Sequence, residues 1–568
     1  MHKVEALLMV SLVLFGVWIA MIFNVRPSFL NIANSDSLAM VHALFPYYWL
    51  ILSAYCVLCL SIFFLGVNNK LVHTLVLVQF SLVLYFTPFA LSGLSWNPDN
   101  LWLSSVAKYV PDILSGKEVM FSTYTETFPS SFILTYSVTE VMGIDVFAFA
   151  RFFPMFSIIA LTLLGYVLAS KFLGQRVAFI SMLFVLPGWH YLDLHACPHM
   201  TGLLLLLTIM ILLTRYERKP VAVIFLLMLS LVLSHPISPL TLSVFLVTVY
   251  FCIVMARRRF RRKIESINWI WSKKVLILFL GIVWIIWLLT AVFPISRSIE
   301  YAFRRVFTLS FGRSIVERVE EFSIGGGSFI YPEIFDLTRL TYASYVFVAG
   351  FLMLCDVTIS KFMKKENTNN MFLRKVISFF SAFAFLAFSY LLLLGTGDHH
   401  LLYRGQIPFV LMVSIYIASY LFFDRKYNKI AKFFFSFWLL FLLLVFPVVS
   451  YSIGAYNSFP YSEGIGVKFI ADNVHLSGKT VSMGTRHQIS PYMDLSNVFY
   501  VIDFPPNLDK THPEIIVLKK SSFYVIAMRY DISFEHNRFL ELRDQLEEVV
   551  EYNKIYSNPT TETYVLNP

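Results

Sequence analysis

The sequence predicts an α-helical polytopic membrane protein of about thirteen transmembrane helices, followed by a small external C-terminal α/β domain. Three observations predict this. Apolar residues make up 58% of the 568 positions and charged residues only 14%, against roughly 45–50% and 25% in soluble domains. The apolar residues gather into runs of membrane-crossing length, and the mean hydropathy is +0.69. After residue 454 the runs stop and short strand-like segments begin.

A bilayer core takes about 20 apolar residues per helix. On that scale the spans fall at residues 5–24, 46–66, 71–92, 145–170, 176–188, 199–214, 220–234, 238–256, 275–293, 341–358, 376–395, 405–423 and 431–453. The first is read as a retained helix, because no small-residue cleavage site precedes Arg26. The net charge of +10 does not indicate a nucleic-acid partner, because the excess sits in short loops between spans. Those loops carry Lys171/Arg176, Arg215/Arg218/Lys219, the run 257–263, Lys361–Lys375 and Arg425–Lys432. They alternate with the remaining loops and are therefore expected to be cytoplasmic, as is the N-terminus. Cys56 and Cys59 lie inside a span and have no further ligands for a metal.

The opposite loops, including 93–144 and 294–340, are then external, as is everything after 454. Seven of the 13 histidines fall at span ends on this side, where an ionisable group is a candidate for function. The expected domains are residues 1–454 and 455–568. In the second, strands are expected at Thr480–Gly484, Val498–Phe504, Ile515–Leu518, Phe523–Met528, Lys554–Tyr556 and Thr563–Leu566. A charged helix is expected over 536–551.

Loop 93–144 opens with Asn97-Pro98-Asp99, a helix-start pattern. Trp102, Val106, Tyr109, Val110 and Ile113 follow at helical spacing, which predicts an interfacial helix with one face in lipid. Asp99 sits at its head. Its carboxylate could take a proton from an acceptor hydroxyl, hold a divalent cation (Mg2+ or Mn2+), or simply favour the helix dipole. Glu126, in Thr125-Glu126-Thr127-Phe128-Pro129-Ser130, is a second external carboxylate, and Pro129 is expected to open a helix.

These pieces resemble the type-C glycosyltransferase superfamily, polytopic enzymes that use polyprenyl-phosphate-linked sugars. The resemblance rests on Asp99, the following amphipathic stretch, Thr127-Phe128-Pro129-Ser130 and Phe149-Ala150-Arg151-Phe152-Phe153. It continues through Gly165-Tyr166, Phe172-Leu173-Gly174-Gln175-Arg176 and Leu186-Pro187. It is similar to prokaryotic members in having a C-terminal external domain, here ending Lys554-Ile555-Tyr556. The chain departs from the pattern in placing two extra spans before its acidic residue, and in having Asn100 where many members carry a second acid. The Trp-Trp-Asp signature of oligosaccharyltransferases is absent after 454.

The remaining site candidates lie on the external side. His190, Asp193, His195 and His199 form a dense polar loop, in which Pro198 interrupts the His195/His199 spacing. No zinc spacing is present, so hydrogen bonding to phosphate or acceptor is the reading, with ordinary loop histidines as the alternative. His235 lies in the turn Ser234-His235-Pro236. Arg151, Arg404 and one of Arg304/Arg305 are candidates for phosphate binding through their planar forks.

The expected activity is transfer of a sugar from a polyprenyl phosphate or diphosphate to a glycan, lipid or protein acceptor on the non-cytoplasmic face. Asp99 would act as base or cation ligand, with Glu126 in support. A glycan polymerase or ligase, and a lipid or solute transporter, are the alternatives. A transporter would place ionisable groups at mid-span, whereas here they sit at span ends.

Overall fold

The computed structural model describes residues 2–24, 46–92, 106–115, 128–189, 194, 197–214, 221–260, 274–287, 340–354, 369–396, 399–423, 428–456, 480–483, 499–501, 515–519, 552–557 and 561–566. The chain is a polytopic helical membrane protein. Its helices are α1 His2–Asn24, α2 Pro46–Phe64, α3 Lys70–Ser92, α4 Val110–Leu114, α5 Ser130–Met142, α6 Val146–Leu173, α7 Gln175–Gly188, α8 Pro198–Thr214, α9 Val221–Ser234, α10 Ile237–Phe260 and α11 Lys274–Trp287. They continue with α12 Leu340–Leu354, α13 Asn369–Thr396, α14 His399–Phe423 and α15 Asn428–Tyr456. A helix occupies each of the runs read as spans. Six are long and apolar enough to cross a membrane by length and composition, and the others are shorter apolar helices.

The shorter helices have a physical reason. α7 has 14 residues, and every one from Val177 to Gly188 is buried. A helix that is apolar all round belongs inside a bundle, and at a rise of 1.5 Å per residue it reaches only about 21 Å. It packs against α2, α3, α6, α14 and α15, and is the centre of the bundle. α1, by contrast, buries one seam of Leu7, Ser11 and Trp18, while Met9, Val13 and Val17 are exposed to lipid. On that seam Ser11 Oγ donates to Gln79 Oε1 of α3, Tyr55 of α2 donates to the same oxygen at 3.3 Å, and Trp18 Nε1 donates to Thr87 Oγ1 at 3.0 Å. Both α1 positions advance with both α3 positions, so α1 and α3 run parallel. α1 and α2 are thus fastened to α3, the helix that leads into the Asp99 loop, by polar contacts, where unpaired groups would be costly in hydrocarbon.

Two expectations about the external loops are corrected. The interfacial helix expected through Tyr109 to Ile113 is interrupted: residues 108–109 form a turn before α4. Pro111 has no N–H to donate to the Ala107 carbonyl, so the ladder loses a bond at this point and the helix is readily broken there. Nor does its apolar side face lipid here, since Val106, Ala107 and Val110 are buried in the protein core. The second correction is at Arg404, which the expected span 405–423 leaves just outside the helix. α14 begins at His399, so Arg404 lies on the helix backbone.

The C-terminal segment holds β1 Thr480–Met483, β2 Phe499–Val501, β3 Ile515–Lys519, β4 Tyr552–Ser557 and β5 Thr561–Leu566. They form one sheet in the order β2-β1-β3-β5-β4. β1 pairs parallel with β2 and β3, while β5 pairs antiparallel with β3 and β4. The expected strand at Phe523–Met528 and the helix at 536–551 lie outside the described residues.

Candidate functional site

Three chain segments that are distant in sequence meet at one end of the bundle. The first is the start of α5. Pro129 sits before its first helical residue, and its carbonyl accepts the N–H groups of Phe132 and Ile133, each at 3.0 Å. Gly143, at φ 62°, ends the helix in a left-handed cap. The second is the start of α8, where Pro198 takes the first helical position. Cys197 Sγ accepts the Met200 N–H at 3.3 Å, which places His199 in the opening turn. The third is the turn between α9 and α10. Pro236 cannot continue α9, and His235 Nδ1 accepts the Ile237 N–H at 3.3 Å. That bond makes Nδ1 the acceptor, so a neutral His235 carries its proton on Nε2.

His199 and His235 are both buried, and their ring centroids are 5.2 Å apart with planes inclined at 65°. The Phe128 ring lies 6.4 Å from the His235 ring. Ser130 Oγ donates to Ser234 Oγ at 2.8 Å, and Ser234 in turn donates to the Ser230 carbonyl at 2.5 Å. Trp284 Nε1 of α11 donates to the Pro236 carbonyl at 3.3 Å and holds the turn from the other side. Ser131 Oγ is buried with no hydrogen-bond partner among the described residues.

Gly202, one turn after His199 on α8, makes the approach possible. A Cβ there would stand 2.3 Å from Ser238 Oγ and 3.3 Å from His235 Cβ. Only a residue without a side chain lets α8 lie this close to the α9–α10 turn. The sequence signal for this approach is the lone glycine in the leucine-rich run 199–214.

Beside this constellation, tyrosines hold the end of α7. Tyr85 of α3 donates to the carbonyls of Leu186 and Trp189, the latter at 3.2 Å, and Tyr345 of α12 donates to the Phe184 carbonyl. Trp189 Nε1 donates to the Ile407 carbonyl of α14 at 3.3 Å. These bonds fix the point from which the 190–199 loop departs. Gln406 Oε1, next to Ile407, is buried with no partner among the described residues.

At the loop preceding α6, Asp145 Oδ2 accepts the Ala148 N–H at 3.2 Å and caps that helix. Partial burial pulls the Lys108 ammonium below the ordinary lysine pKa, and the Asp145 carboxylate acts in the opposite direction.

Of the sequence-derived candidates, the structure brings His199 and His235 together. Arg151 and Arg404 have described backbones, on α6 and α14, but their side chains lie outside the description. Asp99, Glu126, His190, Asp193, His195, Arg304 and Arg305 lie outside the described residues. Among the described residues, no group of three or more His, Cys, Asp or Glu side chains could hold a metal ion. Phe128, Ser130, Ser234 and Gly202 join the site without having been singled out as site residues.

Fold and constellation define a polytopic helical membrane protein with a buried polar end built from three segments. No protein-family model matches the chain, and no curated protein matches it in sequence. Solved structures do. One is the archaeal oligosaccharyltransferase AglB from Archaeoglobus fulgidus in complex with an inhibitory peptide and a dolichol-phosphate, at 11% identity and TM-score 0.45 over 88% of this chain and 74% of that one. Another is the Archaeoglobus fulgidus oligosaccharyltransferase in complex with Zn and sulfate, at 12% identity and TM-score 0.45 over 87% and 73%. ArnT from Cupriavidus metallidurans bound to undecaprenyl phosphate matches at 11% identity and TM-score 0.46, over 88% of this chain and all of that one. At such distances no residue of this chain takes its role from them.

Proposed function

We propose that the chain is a membrane glycosyltransferase that moves a sugar from a polyprenyl phosphate or diphosphate to an acceptor on the non-cytoplasmic face. The observation that carries this reading is the meeting of Phe128 with His235, which faces His199, and of Ser130 with Ser234. The Thr127–Ser130 segment belongs to the sequence resemblance, and it ends the loop that carries Asp99 and Glu126. The constellation therefore lies where that loop returns to the bundle.

In this reading Asp99 takes the proton of the acceptor hydroxyl, with Glu126 in support. Imidazole N–H groups and the arginines Arg151, Arg404 and Arg304 or Arg305 stabilise charge on the leaving phosphate, a demand on electrostatics more than on covalent chemistry. Asp99 is also the candidate ligand for a divalent cation, and no step is assigned to that cation. The N-terminus is cytoplasmic and the C-terminal sheet belongs to an external domain at 455–568. The acceptor is a glycan, a lipid or a protein.

The test is transfer from lipid-linked sugar by purified protein in membranes. Asp99→Asn is expected to lose activity by a factor of about 100 or more. The His199→Ala and His235→Ala variants are expected to fall less, by about tenfold, as expected for a lost charge-assisted hydrogen bond. Full turnover by D99N removes Asp99 from the mechanism. Substrate flux across vesicles without covalent change replaces this reading with transport.

A further inference from the structure

The end of the bundle opposite the histidine pair gathers cations from four helices. Lys70 opens α3, Lys171 lies in the last turn of α6, Arg176 lies in the first turn of α7, and Arg374 lies on α13; all four are exposed. Arg374 Nη1 donates to the Phe172 carbonyl at 2.8 Å and to the Lys171 carbonyl at 3.3 Å, which sets its guanidinium beside Lys171 over the end of α6. Gly174, at φ 93°, turns the chain from α6 into α7 and brings Arg176 to the same level. Arg176 is within electrostatic reach of His73. The His73 ring stacks on Phe179 of α7 at 4.6 Å, one helical turn from Lys70.

Among the described residues, none forms an ion pair with Lys70, Lys171 or Arg176. Exposed apolar side chains adjoin cations at this end of the bundle. Leu71 follows Lys70 and is 65% exposed, while Phe433 and Phe434 follow Lys432 at 74% and 54%. Lys432 and Lys375 lie over the rings of Phe63 and Tyr420, each 5.4 Å from the centroid, with their apolar stems along the protein. A rim of cations above exposed apolar side chains matches a phospholipid, whose acyl chains meet the apolar residues while its phosphate meets the rim.

We propose that the α3–α6–α7–α13 end of the bundle binds the phosphate headgroup of an anionic glycerophospholipid, with Lys171 and Arg176 as principal contacts and Lys70 in support. Topogenic charge alone does not account for the arrangement. A residue that orients a helix during insertion acts from its loop and has no need to meet cations from other helices in the folded protein. Arg374 is committed to the carbonyls of α6, so its part is to hold Lys171 in place. The site is separate from the donor and acceptor chemistry proposed above, and its fate does not depend on that reading.

The test uses the full chain in nanodiscs of phosphatidylcholine with and without phosphatidylglycerol. It reads retained lipid by native mass spectrometry and stability by melting temperature. Wild type is expected to retain phosphatidylglycerol preferentially and to melt higher in its presence. Each of K171Q and R176Q is expected to weaken retention about fivefold, from the contribution of one cation near an anionic surface, and the double variant more than tenfold. K171R/R176K keeps the charges and should bind as wild type does. K108Q, at the other end of the bundle, should leave the preference for phosphatidylglycerol unchanged. The proposal is overturned if K171Q/R176Q retains the lipid like wild type, if K171R/R176K loses it, or if K108Q loses as much. Competition by millimolar inorganic phosphate would instead mark a site for free phosphate, and would also overturn it.

Discussion

His199 and His235 present their rings to one another at 5.2 Å across the boundary between α8 and the α9–α10 turn, and Gly202 sets how near those two backbones come. The pair is therefore a product of packing. A side chain at 202 acts on it without touching either imidazole nitrogen.

Gly202→Ala is expected to destabilise the protein by about 1–3 kcal/mol through overpacking, because the new methyl would stand 2.3 Å from Ser238 Oγ. Ser238→Ala in the same chain should recover part of the loss. Thermal unfolding of the two single variants and the double variant measures the coupling. Strict additivity would mean that residues 202 and 238 do not share the space.

The hydroxyl chain Ser130 to Ser234 to the Ser230 carbonyl has a direction, with Ser130 and then Ser234 donating. Ser234→Ala strands the Ser130 donor and should cost about 1–2 kcal/mol. Ser130→Ala leaves the Ser234 donor satisfied and should cost about half as much. Melting temperatures of the two variants check the order, and the reverse order refutes the direction.

Gln79→Leu removes the acceptor shared by Ser11 and Tyr55. Interhelical hydrogen bonds in membranes average about 0.6 kcal/mol; with two lost and the Ser11 donor stranded, while Tyr55 keeps the Ser11 carbonyl at 3.4 Å, the cost should be about 1–2 kcal/mol. Adding Ser11→Ala and Tyr55→Phe should reverse most of it. Limited proteolysis at the α1–α2 connection is expected to quicken in Q79L alone.

Lys108 gives a pH dependence. Its folded pKa lies below the ordinary value of 10.5, so its charged form is disfavoured on folding. The unfolded state then binds more protons in the window just below 10.5, and stability rises with pH through that window. Lys108→Met should remove this rise. Asp145→Asn should steepen it, because the carboxylate favours the charged lysine. Melting temperature between about pH 8 and 11 in wild type and both variants is the measurement, and a K108M curve parallel to wild type excludes the effect.

Much of the framework was legible in the sequence. The membrane class and the positions of the apolar helices follow from local sums of side-chain character, and those sums do not depend on what each helix meets. Pro129, Pro198 and Pro236 likewise set helix starts and stops through their own missing N–H. Four of the five strands were expected where hydrophobicity fell after 454, and the fifth, β4, was anticipated over its central residues 554–556.

The tertiary structure decided what those helices do to one another. The sequence placed Val106 and Val110 on an apolar face, but that face can be buried by lipid or by protein with equal chemical ease, and packing alone puts it in the core. The same local apolarity could not distinguish α7, enclosed on all sides, from α1, which shows most of its surface to lipid. His199 and His235 were candidates among several histidines at span ends. Their meeting depends on a backbone approach of a few ångströms set by Gly202, Ser238 and the Ser130–Ser234 bond. Such a distance is a property of two helices from remote parts of the chain, and no local pattern encodes it.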